Sequence, residues 1–92
     1  MTIERLRSMF QQILVGERGA TELADGIAWV ICVGSGYMKG RIFVGAYDRG
    51  KSIDSSWIEP YQFERCASEL LKDVESHQRR SVMEALKGDG SD

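Results

Sequence analysis

The side chains able to do acid–base or nucleophilic chemistry are few in this chain, and they are widely spaced. The one histidine is His77. We expect His77 to be an ordinary surface or half-buried helix residue; Asp73 lies four residues earlier, on the same face of a predicted helix, and is the nearest candidate partner that could contact it. A general base also needs a nucleophile within hydrogen-bond reach. Cys66 is three helical turns from His77, about 16 Å along the axis. The spacing therefore predicts no catalytic dyad.

Metal and phosphate chemistry also lack the residue spacing that they need. One histidine and the separated Cys32 and Cys66 do not form the paired ligands of a zinc site. We interpret both cysteines as small buried hydrophobic residues, without a disulfide. The glycine-rich segment 34–40 precedes a predicted strand, so no helix N-terminus follows it to face a phosphate. We expect no catalytic residue, no metal site and no cofactor.

Size and charge indicate one small globular domain. The chain has 92 residues, of which 42% are hydrophobic, enough for a thin core without metal or disulfide support. Its formal net charge is −2, which argues against a general binder of polyanions. The first residues do not resemble a signal peptide, and no apolar run approaches the ~20 residues that span a bilayer. We expect a protein without a membrane segment, located in the cytoplasm of the cell that makes it.

Periodicity predicts a helix at the N-terminal end of the chain. Apolar residues recur every three or four positions over 2–15, and Thr2 is placed to cap this helix. Glycines then interrupt the pattern. Residues 20–24 are predicted to form one short helical turn before Asp25 and Gly26 turn the chain into a sheet.

Three strands are predicted in the middle of the chain, over 27–34, 41–47 and 51–58. The first is apolar on both faces, which predicts a strand that is central or covered on both sides. Glycines at 34–36 and a three-residue hairpin at 48–50 reverse the chain between strands. The third segment has several polar residues, which suits an edge strand.

A long helix is predicted over 60–80, with Pro60 as its first residue. Ser81 and Glu84 have the spacing of a capping box, which predicts a break and a short further helix. Residues 88–92 are predicted to form a disordered tail after a single domain at 1–87. The predicted fold is thus α+β, with a three-stranded antiparallel meander flanked by an N-terminal helix and a long C-terminal helix.

Positive charge concentrates on the turns and rims of the predicted meander. Basic residues beside aromatic ones can hold a nucleic-acid backbone and stack its bases. The same residues also suit an ordinary hairpin with solubilising cations, and both interpretations stay open. A second small basic spot lies on the long helix. The candidate binding residues are Tyr37, Lys39, Arg41, Arg49, Lys51 and Trp57 on the meander, with Arg79 and Arg80 on the helix.

The layout resembles that of small phage-encoded anti-CRISPR proteins, in particular inhibitors of type I surveillance complexes. The resemblance rests on a short acidic α+β domain, a glycine-turned meander over 26–57, a long helix over 60–80 and the missing reaction centre. It covers nearly the whole chain but includes no diagnostic motif. It implies a non-enzymatic inhibitor that binds the multi-subunit complex, through its Cas proteins or its guide RNA, in the bacterial cytoplasm. Such a protein blocks target DNA binding or nuclease recruitment by occupying a surface.

Three other functions remain open at this point. The basic and aromatic meander is also suited to a small nucleic-acid-binding regulator. An enzyme with an unrecognised catalytic dyad is a further hypothesis, but each candidate residue lacks either a partner or a suitable spacing from one. A homodimeric housekeeping module is also open, because the predicted edge strand 51–58 could pair across a two-fold axis. The chain is therefore expected to be a monomer or a homodimer.

Overall fold

A computed structural model describes residues 1–90 of the chain. The predicted tail reaches residues 91 and 92, which lie outside the described residues, so it stays a prediction. The main elements in chain order are helix α1 (Ile3–Leu14), strands β1 (Gly19–Ala24), β2 (Ile27–Val33), β3 (Ile42–Asp48) and β4 (Lys51–Ile58), and helix α2 (Phe63–Gly90). Single 3₁₀ turns occupy Gly36–Met38 and Pro60–Gln62.

The α+β class is confirmed, but the predicted strand count was wrong. The sheet has four antiparallel strands in the order β1-β2-β3-β4, because residues 20–24 form most of β1 and not a helical turn. The physical reason is the turn that follows. Asp25 and Gly26 have φ of 56° and 78°, the left-handed pair of a two-residue hairpin, so the preceding segment folds back along β2.

Both helices pack on the same face of the sheet, which gives a two-layer structure. In β2, Ile27, Trp29 and Ile31 point into this layer, and alternate residues point away from it. The rings of Phe10 and Phe63 stack at 4.2 Å where α1 meets α2. The buried core consists of Leu6, Met9, Ile13, Ile27, Trp29, Ile31, Ile42, Val44, Ala46, Ile58, Phe63, Ala67, Leu70 and Val74.

The helix ends follow local hydrogen-bonding rules, with one correction. Thr2 caps α1, since its Oγ1 accepts a hydrogen bond from the backbone N–H of Arg5 at 3.2 Å. Pro60 begins the 3₁₀ turn that leads into α2. The break predicted at Ser81 was wrong, because α2 continues through it to Gly90. A capping box needs a residue outside the helix, and here the preceding turns keep Ser81 within helical backbone.

Candidate docking surface

The face of the sheet that points away from the helices is apolar and uncharged. No helix within the described residues 1–90 packs on it. We call it the open face. It consists of alternate strand residues, most of them apolar or aromatic, namely Gly19, Thr21, Leu23, Ala28, Val30, Cys32, Phe43, Gly45, Tyr47, Ser52, Ser55 and Trp57. Most of these side chains shield one another partly, while Leu23 is 76% exposed and Trp57 39% exposed. Apolar surface gathered in this way on one face is typical of a binding site.

Aromatic residues dominate one side of the open face. Phe43 and Trp57 are direct cross-strand partners on β3 and β4, and their ring centroids lie 5.2 Å apart in a tilted arrangement. The Phe43 ring leans over Gly45, where a Cβ would lie only 3.1 Å from the ring atom Cε1. The missing side chain at Gly45 therefore lets the aromatic ring lie flat along the sheet.

Negative charge on the strands is directed to the helix layer. Glu22 of β1 accepts a hydrogen bond from Arg5 of α1 at 3.2 Å. Asp48 at the end of β3 contacts His77 of α2. Asp54 of β4 lies across from Ala46 on the helix side. These are the acidic residues of the strands, so the open face carries no acidic side chain.

The candidate binding residues fall into two groups at opposite ends of the sheet. Tyr37, Lys39 and Arg41 lie on the connection between β2 and β3, at the end where Trp57 also lies. Tyr37 is fully exposed, and Arg41 forms a 3.7 Å ion pair with Glu59. We call this group the 34–41 end.

The remaining candidates belong to the other end, about 20 Å away along β3. Arg49 lies in the turn between β3 and β4 and Lys51 is the first residue of β4, and both are exposed. Arg79 and Arg80 follow His77 on α2, which contacts Asp48 at this end. Arg79 is paired with Glu75 of its own helix at 2.5 Å. The eight predicted residues therefore do not form one cluster, and the open face lies between their two groups.

His77 contacts a residue other than Asp73, which was the nearest candidate partner in the sequence. Its Nε2 lies 2.8 Å from Oδ2 of Asp48, which is 29 residues away in sequence. Asp73 instead lies near Asp54 of β4, and its carboxyl group, when protonated, donates a hydrogen bond to Asp54. That hydrogen bond raises the pKa of Asp73, with smaller contributions from burial and from nearby acids.

Neither cysteine has the setting of a reactive thiol. Cys32 and Cys66 are both free and partly buried. Burial raises the pKa of each thiol, and a reactive cysteine needs the opposite change. The Cys66 thiol lies 3.6 Å from the Ser56 hydroxyl, at the interface of α2 and β4. Both cysteines are therefore better explained by side-chain packing than by thiol chemistry.

The sequence prediction missed the open face as a unit. The alternation that places Phe43 and Tyr47 on one side of β3 was visible in the sequence. The apolar outer side of β2, around Val30, was interpreted as a sign of a strand covered on both sides. Leu23 was assigned to a helical turn, so the face lacked its fourth strand.

No known protein family, no curated protein and no solved structure matches this chain. Among the described residues, no three His, Cys, Asp or Glu side chains are grouped closely enough to hold a metal ion. Within the same residues, neither helix is long and apolar enough to cross a membrane.

Proposed function

We propose that this protein acts by binding, as a non-enzymatic inhibitor whose open face docks on a protein surface of a larger assembly. The observation that carries the proposal is the open face itself, a mostly apolar and aromatic surface on which none of the described strand residues places a charged side chain. Apolar centres depleted of charge are the feature that distinguishes the core of a protein interface from other surface.

The charges around the open face specify the partner further. Lys39 and Arg41 lie at one end, and Arg49 and Lys51 at the other. The strand acids point to the opposite layer. A complementary partner therefore has an apolar centre with acidic groups around it, since opposite potentials guide docking and fix its register.

The size of the open face argues that one end takes part in docking. Four strands about 4.8 Å apart, with about 3.3 Å per residue, give a face of roughly 400 Å². Stable interfaces bury about 800 Å² on each partner. The face supplies about half of that area, so the remainder has to come from an adjoining end. The exposed Tyr37 and Arg41 make the 34–41 end the better source.

The target class in this proposal comes from the resemblance to anti-CRISPR proteins. It is a multi-subunit surveillance complex of Cas proteins with its guide RNA. Occupying a subunit surface there would block target DNA or the nuclease without any chemical step. A compact domain with an uncharged docking face is consistent with such a role.

Binding to a purified guide-loaded type I complex tests the proposal. Leu23→Glu and Val30→Glu each place a carboxylate on the open face, and Leu86→Glu places one on the exposed distal part of α2, away from the 34–41 end, as a matched control. Burying an unpaired charge costs a few kcal/mol, so both open-face variants should lose at least about tenfold in affinity. Leu86→Glu should bind like the wild type.

Circular dichroism of each variant separates lost binding from lost folding. Leu23 is mostly exposed, so its replacement keeps the test valid even where Val30→Glu does not fold. If folded Leu23→Glu and Val30→Glu capture the complex as well as the wild type does, the open face is not the docking surface. If the wild type captures no type I complex, the assigned target class is wrong.

A second function is favoured by the aromatic pair on the open face. Phe43 and Trp57 lie side by side next to Arg41, which suits the stacking of two bases of a single strand while the guanidinium contacts phosphate. Titrating labelled single- and double-stranded oligonucleotides at two salt concentrations distinguishes this function. Salt-sensitive binding that Trp57→Ala abolishes would support a nucleic-acid-binding regulator in place of the protein-docking inhibitor.

A further inference from the structure

A cavity on the helix side of the sheet, remote from the open face, has the properties of a small-molecule site. It has a volume of about 320 Å³. Its lining comes from the first residue, the β1–β2 turn, β2 and α2. Ligand sites generally range from about 300 to 1,000 Å³, so this cavity suits a small ligand.

The floor of the cavity is apolar, and one of the side chains that line it, Trp29, holds a buried hydrogen-bond donor. Ile27, Trp29 and Val74 line it and are each almost fully buried. No protein atom accepts a hydrogen bond from the indole Nε1–H of Trp29, which is the buried side-chain polar atom in the described residues without a partner. An unpaired buried donor costs about 1–3 kcal/mol, so a ligand that supplies an acceptor would regain part of this free energy.

The acidic groups at the rim are neutralised by neighbours. Oδ2 of Asp25 lies 3.5 Å from the amino group of Met1. The carboxylate of Glu75 pairs with Arg79 at 2.5 Å. The rim therefore exerts little attraction on a charged ligand.

We propose that this cavity binds a small uncharged apolar molecule that carries one acceptor oxygen, such as a ketone or an ester. The apolar part lies against Ile27 and Val74. The oxygen accepts a hydrogen bond from the Trp29 indole after a small local adjustment, since that nitrogen is shielded in the unliganded protein. The site is separate from the docking surface, so it does not depend on the proposed inhibitor function.

NMR of the full chain labelled with ¹⁵N gives a direct test, because the two tryptophans have separate indole N–H signals. The variant Trp57→Phe identifies the signal of Trp29. Cyclohexanone is the probe, and methylenecyclohexane, which has the same shape without the oxygen, is its matched control. The expected result is a saturable downfield shift of the Trp29 indole proton with the ketone and no downfield shift with the hydrocarbon.

A cavity-filling variant tests whether the shift arises from binding in this cavity. Ala24 lines the cavity and Ala28 lies on the open face, so Ala24→Leu should abolish the shift while Ala28→Leu should retain it. An unmoved Trp29 signal at high ketone concentration would overturn the proposal. Equal shifts with ketone and hydrocarbon would overturn the assigned hydrogen bond, and a shift that survives Ala24→Leu would overturn the assigned location.

Discussion

His77 of α2 and Asp48 of β3 form the contact that fixes where the long helix leaves the body of the protein. Their Nε2 and Oδ2 atoms lie 2.8 Å apart. In the adjacent position Gln78 donates a hydrogen bond to the backbone oxygen of Asp25 at 3.3 Å. Consecutive helical residues thus hold α2 to the ends of both hairpins. The helix continues beyond them, consistent with a longest dimension of 53 Å against 27 and 20 Å.

Replacing Asp48 by alanine should destabilise the fold by about 1 kcal/mol, because His77 loses its hydrogen-bond partner. The side chains of His77 and Asp48 are 31% and 30% exposed, so the larger cost of breaking a fully buried pair is not expected. Urea unfolding measures the difference. Arg65→Ala is the control, since it removes an exposed i, i+4 pair with Glu69 that contributes at most about 0.5 kcal/mol. Equal effects of both substitutions would contradict a structural role for the His77–Asp48 contact.

The carboxyl pair of Asp54 and Asp73 should make stability fall as the pH rises through the raised pKa of Asp73. The folded protein holds that proton more tightly than the unfolded chain does, because Asp54 hydrogen-bonds the carboxyl group of Asp73. The slope of unfolding free energy against pH is therefore negative in this range. Asp73→Asn should remove this contribution and stabilise the protein at neutral pH, by no more than about 0.5 kcal/mol at an exposed site.

Urea unfolding at neutral pH and at pH values just above the ordinary aspartate pKa tests this prediction. Glu17→Gln, at an exposed loop position, is the charge-matched control. The stability gained by Asp73→Asn should shrink on acidification, while the control should show no such trend. If Asp73→Asn instead destabilises the protein at neutral pH, the ionised carboxyl pair is favourable, which would contradict the prediction.

The ion pair between Arg7 and Glu64 should act on pH dependence in the opposite direction. Arg7 donates from Nε and Nη2 to both oxygens of Glu64, at 2.6–3.1 Å, and joins α1 to α2. The hydrogen bond from Arg7 lowers the pKa of Glu64 below its ordinary value. The ion pair therefore stabilises the fold at pH values above the ordinary glutamate pKa. This stabilisation is lost as the pH falls through the lowered pKa of Glu64. Glu64→Gln should therefore lower the melting temperature at neutral pH, and the difference should vanish in acid.

The class of the fold was predictable because local patterns and tertiary packing agree over most of the chain. The three- and four-residue spacing that predicted α1 is the spacing of its buried Leu6, Met9 and Ile13. Segment 20–24 was mispredicted because Ala, Glu and Leu favour helices, while pairing with β2 decides its conformation. Local propensity gives way where a tight hairpin brings a second strand alongside.

The candidate site was less predictable because it depends on distances between remote residues. The basic candidates share a charge and a region of sequence, yet Arg41 and Arg49 lie at opposite ends of β3. The His77–Asp48 contact spans 29 residues, and helical periodicity offered only Asp73. Which face of the sheet stays open depends on the face on which both helices pack. The alternation of apolar and polar residues along the strands does not determine that face.

Gly34 should tolerate no side chain, although its backbone is not left-handed. A Cβ at this position would lie 2.0 Å from the backbone oxygen of Met38, so the 34–41 end would have to move. Gly34→Ala should cost about 1–3 kcal/mol by overpacking. Ser35→Ala is the neighbouring control and should change stability by less than about 0.5 kcal/mol. Thermal or urea unfolding gives both values, and a Gly34→Ala variant as stable as the wild type would contradict the close approach.

The two valines of α2 should differ sharply in their contribution to stability. Val74 is 3% exposed within the core, whereas Val82 is 59% exposed beyond the point where His77 and Gln78 hold the helix. Val74→Ala should lower the unfolding free energy by about 2 kcal/mol, since it removes buried methyl groups and leaves a cavity. Val82→Ala should change it by less than about 0.5 kcal/mol in dilute protein. The alanine gains the same helix propensity at both sites, so their difference reports burial alone. If Val82→Ala instead lowers the unfolding free energy by an amount that depends on protein concentration, this stretch of α2 is covered by a second copy of the chain. That result would support the homodimer, which remains an open expectation.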